Sequence, residues 1–224
     1  MMDPYYRDAK EKGSTNGRSS HLGVDITGPT AGDGSITDPR RGLPVYAAVN
    51  TLVALDQLNT VRAFDKNAKT SSAGLGIQGS GDAQMVEAKI YTQPWSSTED
   101  HSYGGVVGMS CIYSYQNNNG SSSEFTLYIE FLHLITEQFL PKNKAGHIAS
   151  LSEWQDTGRG IGFGPDIQNN AVVQAGFFTG PGFPVIGYLG ATQTPHVHVQ
   201  VAYFDRRSYD KMAVVRIDPM VVVY

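Results

Sequence analysis

VVGMSCIYSY (residues 106–115), QNNNGSSS (116–123) and FTLYIEFLHL (125–134) decide the class of this chain. Two apolar stretches of strand length flank a polar joint. Asn119-Gly120 inside the joint is a hairpin signal, because a tight turn between antiparallel strands needs residues that accept positive φ. Upstream, MVEAKIYT (85–92) reads as a third strand, preceded by a Ser/Gly-rich loop, NAKTSSAGLGIQGSGD (67–82). LPVYAAV (43–49) and LVAL (52–55) are short strands rich in β-branched and aromatic residues. Downstream, 185–189, 196–204, 214–217 and 221–224 complete the strand set. Few segments suit a helix: 60–69, and 152–156, where SLSE (150–153) offers a capping box. Residues 157–184 carry many Gly and Pro and read as a long loop region, a kind of segment that is often functional. The sequence therefore predicts a mainly β domain with insertions, not a series of βαβ units.

Composition agrees with one folded domain. The chain has 224 residues, 40% hydrophobic and 10% aromatic, with a formal charge of −4. A chain of that length buries roughly 70% of its unfolded surface, enough for a core without covalent staples. Seventeen basic against 21 acidic residues leave no basic stripe, so nucleic acid is not an expected partner. Apolar runs fall far short of a membrane span. The lone Cys111 excludes an intrachain disulfide and reads as a small buried hydrophobe. Residues 1–20 form a polar arm with no apolar h-region, so no signal peptide is expected. Arg40-Arg41 reads as a solvated loop pair, and Trp95 and Trp154 as packing residues.

Six histidines carry the chemistry of interest. HLGVD places His21 and Asp25 four apart, and PHVHVQV places His196 and His198 two apart. On a strand, residues i and i+2 share a face, so His196 and His198 project together. That spacing lets one imidazole hold a metal while the other reaches a water beside it. Zinc takes His nitrogen and carboxylate oxygen, and a catalytic site keeps three protein ligands. His21, Asp25 and one of the HVH pair make such a set. The bland alternatives are a surface His/Asp pair and the polar face of an edge strand. His101 and His147 read as loop histidines.

The wider context favours the metal. GRSSHLGVDITGP (17–29) and GLPVYAAVNTLV (42–53) resemble the entry segment of the M23 family, the LytM/lysostaphin-type zinc peptidases, with its HxGxD motif and following strand pair. YIEFLHL (128–134) resembles the family's YxHL strand, with His133 in the His position. IGYLGATQTPHVHVQV (186–201) resembles its G-x-x-G…HxH segment, and RIDPMVVVY (216–224) its terminal Asp-Pro segment. The motifs run in the family's order across nearly the whole chain. Three features depart from the pattern: a longer loop after the first motif, Thr51 where a glycine is usual, and ATQTPH before the last pair.

The resemblance implies an antiparallel β core with a groove, long loop insertions and few short helices. Residues 21–224 would be a single peptidase domain, with insertions at about 56–102 and 135–184 walling the groove. His21, Asp25 and His198 would hold one zinc ion, and His133 and His196 would act beside it. The implied activity is hydrolysis of peptide bonds in peptidoglycan cross-links, in the periplasm or cell wall. Delivery would be by a phage or by a route that needs no leader, unless this chain is a fragment; an injected effector would bring an immunity protein or a secretion or tail component as partner. The competing expectation is an inactive scaffold of the same fold that binds cell wall or activates an amidase. The family's tyrosine upstream of the first ligand has no clear counterpart here; Tyr5 and Tyr6 would serve only if the arm folds back.

Overall fold

In the computed structural model the described residues are 23–28, 32, 38–61, 63–64, 70–71, 74–93, 105–135, 163–164, 167–179, 182–190, 195–205 and 213–223. They build one twelve-stranded sheet in which every pairing between strands is antiparallel. In chain order the elements are β1 (Val24–Ile26), β2 (Pro44–Tyr46), β3 (Leu52–Ala54), α1 (Leu55–Thr60), β4 (Ala63–Phe64), β5 (Thr70–Ser71) and β6 (Asp82–Gln93). Then come β7 (Gly105–Gln116), β8 (Ser122–Ile135), β9 (Val172–Gln174), α2 (Gly176–Thr179), β10 (Val185–Leu189), β11 (Val197–Asp205), β12 (Ala213–Ile217) and a 3-10 turn, Pro219–Val221. The spatial order is β3-β6-β7-β8-β11-β12-β4-β5. β1 pairs with β11, β9 with β6, and β10 with both β2 and β8. The mainly β expectation holds.

The β7–β8 hairpin is the backbone of the sheet, and its joint closes as the sequence suggests. Gly120 takes φ +82°, which costs glycine little, and its N–H donates to the Asn117 carbonyl at 2.9 Å. The Asn117 side chain accepts from the Ser121 N–H at 3.2 Å. From there the two strands alternate. Phe125, Leu127, Ile129 and Phe131 face Tyr113, Cys111, Met109 and Val107 on the buried side. Val199 and Val201 of β11 and Ala88 and Ile90 of β6 extend that apolar layer. Tyr113 stacks on Phe125 at 5.4 Å between centroids and donates its hydroxyl to the Asn50 carbonyl at 2.7 Å. Cys111 is fully buried among these residues, as expected.

Several local expectations fail for identifiable reasons. The helix starts at Leu55 and ends at Thr60 rather than filling 60–69; Leu55 and Leu58 bury together at helical spacing. Asn59 then anchors the chain by exchanging two hydrogen bonds with the Ile77 backbone, at 2.7 and 2.8 Å. Ala63–Phe64 leaves as a strand against β12. The 67–82 stretch contains β5, and the 157–184 stretch contains β9 and α2. At the C-terminus, 221–223 is not a strand. Asp218 caps the Met220 N–H at 3.0 Å and Pro219 fixes φ at the first position, so Asp-Pro starts a 3-10 turn instead. One isolated bridge, Val49 to Val223, remains. The 152–156 helix and the 1–20 arm lie outside the described residues. Among those that are described, no helix is long and apolar enough to cross a membrane.

The 56–102 stretch contributes β6, an interior strand flanked by β3 and β7, so this part of it is sheet rather than wall. Within 135–184, β9 pairs with β6 at Glu87, Ala88 and Lys89, on the side of the hairpin away from β11.

Candidate active site

Strand register brings the motif residues together. β1 lies against β11 with Asp25 opposite His198, and β11 lies against β8 with His198 opposite Leu132. Residues directly opposite share a face of the sheet. His198, Asp25 and Leu132 therefore sit on one face, opposite to the apolar layer, and Gln200 and Glu130 follow on that same face one pair further along. The Asp25 carboxylate oxygen Oδ1 is 2.8 Å from His198 Nδ1 and 3.7 Å from His196 Nε2.

His133 reaches this face only because β8 is irregular. Val107 of β7 is opposite Phe131, but Gly105 is opposite Leu134, so β8 carries one extra residue there. In an unbroken strand His133, following Leu132, would turn to the apolar side. The bulge reverses the phase: the buried positions run Leu127, Ile129, Phe131 before it, and beyond it His133 is half-buried while Leu134 is buried opposite Gly105. His133 takes φ +67°, the left-handed region that side chains other than glycine rarely occupy. Such a conformation costs of order 1–3 kcal/mol and bulges commonly re-aim a side chain beside an active site. The result is a ring 4.8 Å from that of His196 and 6.0 Å from that of His198, centroid to centroid. β8 also changes partner there, from β11 at Leu132 to β10 at Leu134.

Exposure sets the direction of access. The His198 side chain is 7% exposed, that of His196 18% and that of Asp25 42%, so the cluster opens past Asp25. Behind His198 stands Gly23, whose place in the HLGVD motif has a steric cause. A Cβ there would overlap His198 Nε2 and the Val199 carbonyl.

Of the residues expected at the site, Asp25, His133, His196 and His198 converge. His21 lies outside the described residues, as do His101, His147, Trp95, Trp154, Tyr5 and Tyr6. The donor types suit zinc. Two donors on one tetrahedral zinc at about 2.0–2.1 Å are about 3.3 Å apart. The 2.8 Å between Asp25 Oδ1 and His198 Nδ1 is a hydrogen-bond distance, about 0.5 Å shorter than that spacing. Among the described residues no group of three or more His, Cys, Asp and Glu is set to hold a metal ion.

The arginine pair is a correction. Arg40 is 6% and Arg41 1% exposed, so neither is solvated. Arg40 grips the buried Asp38 carboxylate through Nε at 3.0 Å and a terminal nitrogen at 2.8 Å, the fork geometry an arginine offers to a carboxylate. Arg41 donates to the Gly190 carbonyl at 2.6 Å. Gly190 directly follows β10, so Arg41 ties its own segment to the end of that strand. The spacing Asp38-x-Arg40 was the readable signal for the first of these contacts. Gln200 and Glu130 were also overlooked, although His196, His198 and Gln200 at i, i+2 and i+4 announce one face. Gln200 is buried and donates its Nε2 to Glu130 Oε2.

No family model, curated protein or solved structure matches this chain.

Proposed function

We propose that the chain is a zinc-dependent endopeptidase that hydrolyses peptide bonds in peptidoglycan cross-links, of the kind its motifs resemble. The observation that supports this most is the convergence of Asp25, His133, His196 and His198, from three strands far apart in sequence, on one open face. A histidine held at φ +67° beside two others is the kind of strained residue that clusters at active sites.

Asp25 and His198 would hold the ion together with His21, the third position that the resemblance supplies. When bound, zinc would polarise the scissile carbonyl and bring the pKa of its water to about 7. His196 and His133 have the division of labour left over. An imidazole changes charge near neutral pH, so one of the pair can take a proton from the attacking water and return it to the leaving amine. The other can donate a hydrogen bond to the oxyanion of the tetrahedral intermediate. The bulge aims His133. The substrate lies outside the cytoplasm, in the periplasm or wall.

Digestion of purified peptidoglycan, with and without a chelator, tests this directly. Mass analysis should show fragments with new amino and carboxyl termini, and the chelator should abolish them. Intact peptidoglycan after prolonged incubation with zinc-loaded protein would overturn it.

A further inference from the structure

Well past His198 along β11, two strands part. β11 runs on to Asp205, but its pairing with β8 stops at Tyr203, opposite Leu127. Phe204 and Asp205 continue against β12 instead, while Ser122–Thr126 of β8 stays paired with β7. A cavity of about 690 Å³ lies at this fork, within the range of about 300–1,000 Å³ for small-ligand sites. Because strands separate there, it takes side chains from both faces of the sheet. Tyr115, Phe125 and Tyr203 come from the face of the apolar layer, and Glu124 and Thr126 from the other. Gly76, Ile77 and Gln78 add a further wall. That segment comes close because Gly79, bridged to Asn117, has no Cβ to overlap the Tyr115 ring.

We infer that this cavity is a saccharide-binding site that takes pyranose rings of a polysaccharide. A pyranose is amphipathic: its C–H faces pack on aromatic rings, and its hydroxyls, each donor and acceptor, need polar partners around them. The rings are in place. Phe125 lies 5.8 Å from Tyr115 and 6.4 Å from Tyr203, centroid to centroid, tilted at 52° and 65°. Uncommitted polar groups surround them. Among the described residues, the hydroxyls of Tyr115 and Thr126, the Glu124 carboxylate and the Asn118 amide make no hydrogen bond or ion pair. A carboxylate accepts only, and its two oxygens can take two hydroxyls at once. The described lining holds no Lys, Arg or His, which disfavours an anionic ligand. A peptide strand added to β8 would draw its hydrogen bonds from the backbone and leave these four side chains without a role. Tyr203 is five residues from His198 on β11, about 17 Å at about 3.3 Å per residue, so the inference does not rest on the peptidase reading.

Two soluble probes carry the pyranose chemistry: glycan strands of peptidoglycan freed of their peptides, and linear β-glucan oligosaccharides. A stem peptide without sugar is the third probe. Binding of each is measured by calorimetry on the full chain, Glu124→Ala and Tyr115→Phe. Both variants keep the packing, because Glu124 is exposed and phenylalanine keeps its ring against Phe125; urea unfolding checks this. At least one sugar should bind the wild type. Glu124→Ala should weaken that binding on the order of 10- to 100-fold, the size of a hydrogen bond to a charged group. Tyr115→Phe should weaken it by about 2- to 10-fold, the size of a neutral one. Preference for the first sugar assigns the site to wall glycan, preference for the second to a plain glucan, and equal binding to the pyranose ring alone. Binding of neither sugar, a sugar affinity unchanged in either variant, or binding of the peptide in place of sugar overturns the site. None of these outcomes bears on the peptidase reading, which the cleavage assay tests separately.

Discussion

The two ends of β8 obey different rules. At its start, the turn Asn117–Gly120 puts a glycine at φ +82°, and the alternation that follows runs without a break through Phe131. At its far end, a histidine takes φ +67°, the register slips by one residue and the strand changes partner. The first end is built as a sheet would be built for stability alone. The second accepts strain to put an imidazole on a face where alternation would not place it. On the proposed function the acting histidine sits where the ladder breaks, and changes at the two ends should therefore have opposite signatures: activity at one, stability at the other.

The largest contrast comes from His198→Ala. It removes the partner of Asp25 and a ligand position, so activity should fall to background. Zinc affinity should drop by more than the roughly 10- to 100-fold typical of losing a group that only supports a ligand. Elemental analysis and rate measurement on one preparation check both. Next in size are His133→Ala and His196→Ala, which should keep zinc yet lose about 10²–10⁴-fold in rate, the usual contribution of a general acid or base. A variant at 133 that kept both zinc and full rate would make the bulge a structural accident.

That second end is also where sequence reading ran out. The hairpin was legible because Asn-Gly and two apolar stretches are local signals. The face shared by His196 and His198 was legible because strand alternation is local too. His133 was picked out by its resemblance to a motif, but alternation along β8 would have pointed it into the core. Only the pairing of Gly105 with Leu134 reveals the extra residue. Arg41 is a similar case: two adjacent arginines in a Gly/Pro-rich stretch look solvated. Their burial depends on Asp38 and on the Gly190 carbonyl, 149 positions away. Asp218-Pro219 shows the reverse failure, where a local cap overrode the apolar run that followed it.

The stable end offers a pH test. Burial pushes the Cys111 thiol from its ordinary 9.0 up to about 12. Below pH 9 the folded and unfolded chains both keep this proton, and the contribution to stability is complete. Between 9 and 12 the unfolded chain loses the proton while the folded one retains it, so stability falls by about 1.4 kcal/mol per pH unit. Tyr113 is raised as well, by burial first and by Cys111 second, and adds to the loss at the alkaline end. Urea unfolding at a series of pH values should show a shallower decline for Cys111→Ala than for the wild type. Identical slopes would mean that the thiol is not buried as described.

The smallest effects separate the two ends most sharply, because one exchange can be made in both directions. Gly120 and His133 occupy the same left-handed region. A Cβ at Gly120 would meet nothing within 4 Å, so Gly120→Ala adds only the conformational penalty, about 1 kcal/mol of lost stability. The turn is far along β8 from the histidines, and the rate should not change. His133→Gly runs the other way. It removes the imidazole, as His133→Ala does, but also relieves the backbone. His133→Gly should therefore be more stable than His133→Ala by about 1 kcal/mol, while both lose the same factor in rate. Using alanine as the reference cancels the lost ring contacts with His196 and His198, which a comparison with wild type would include. If glycine at 133 proved no more stable than alanine, the strain at this end would not be real, and the two ends of β8 would differ in chemistry but not in how they are held.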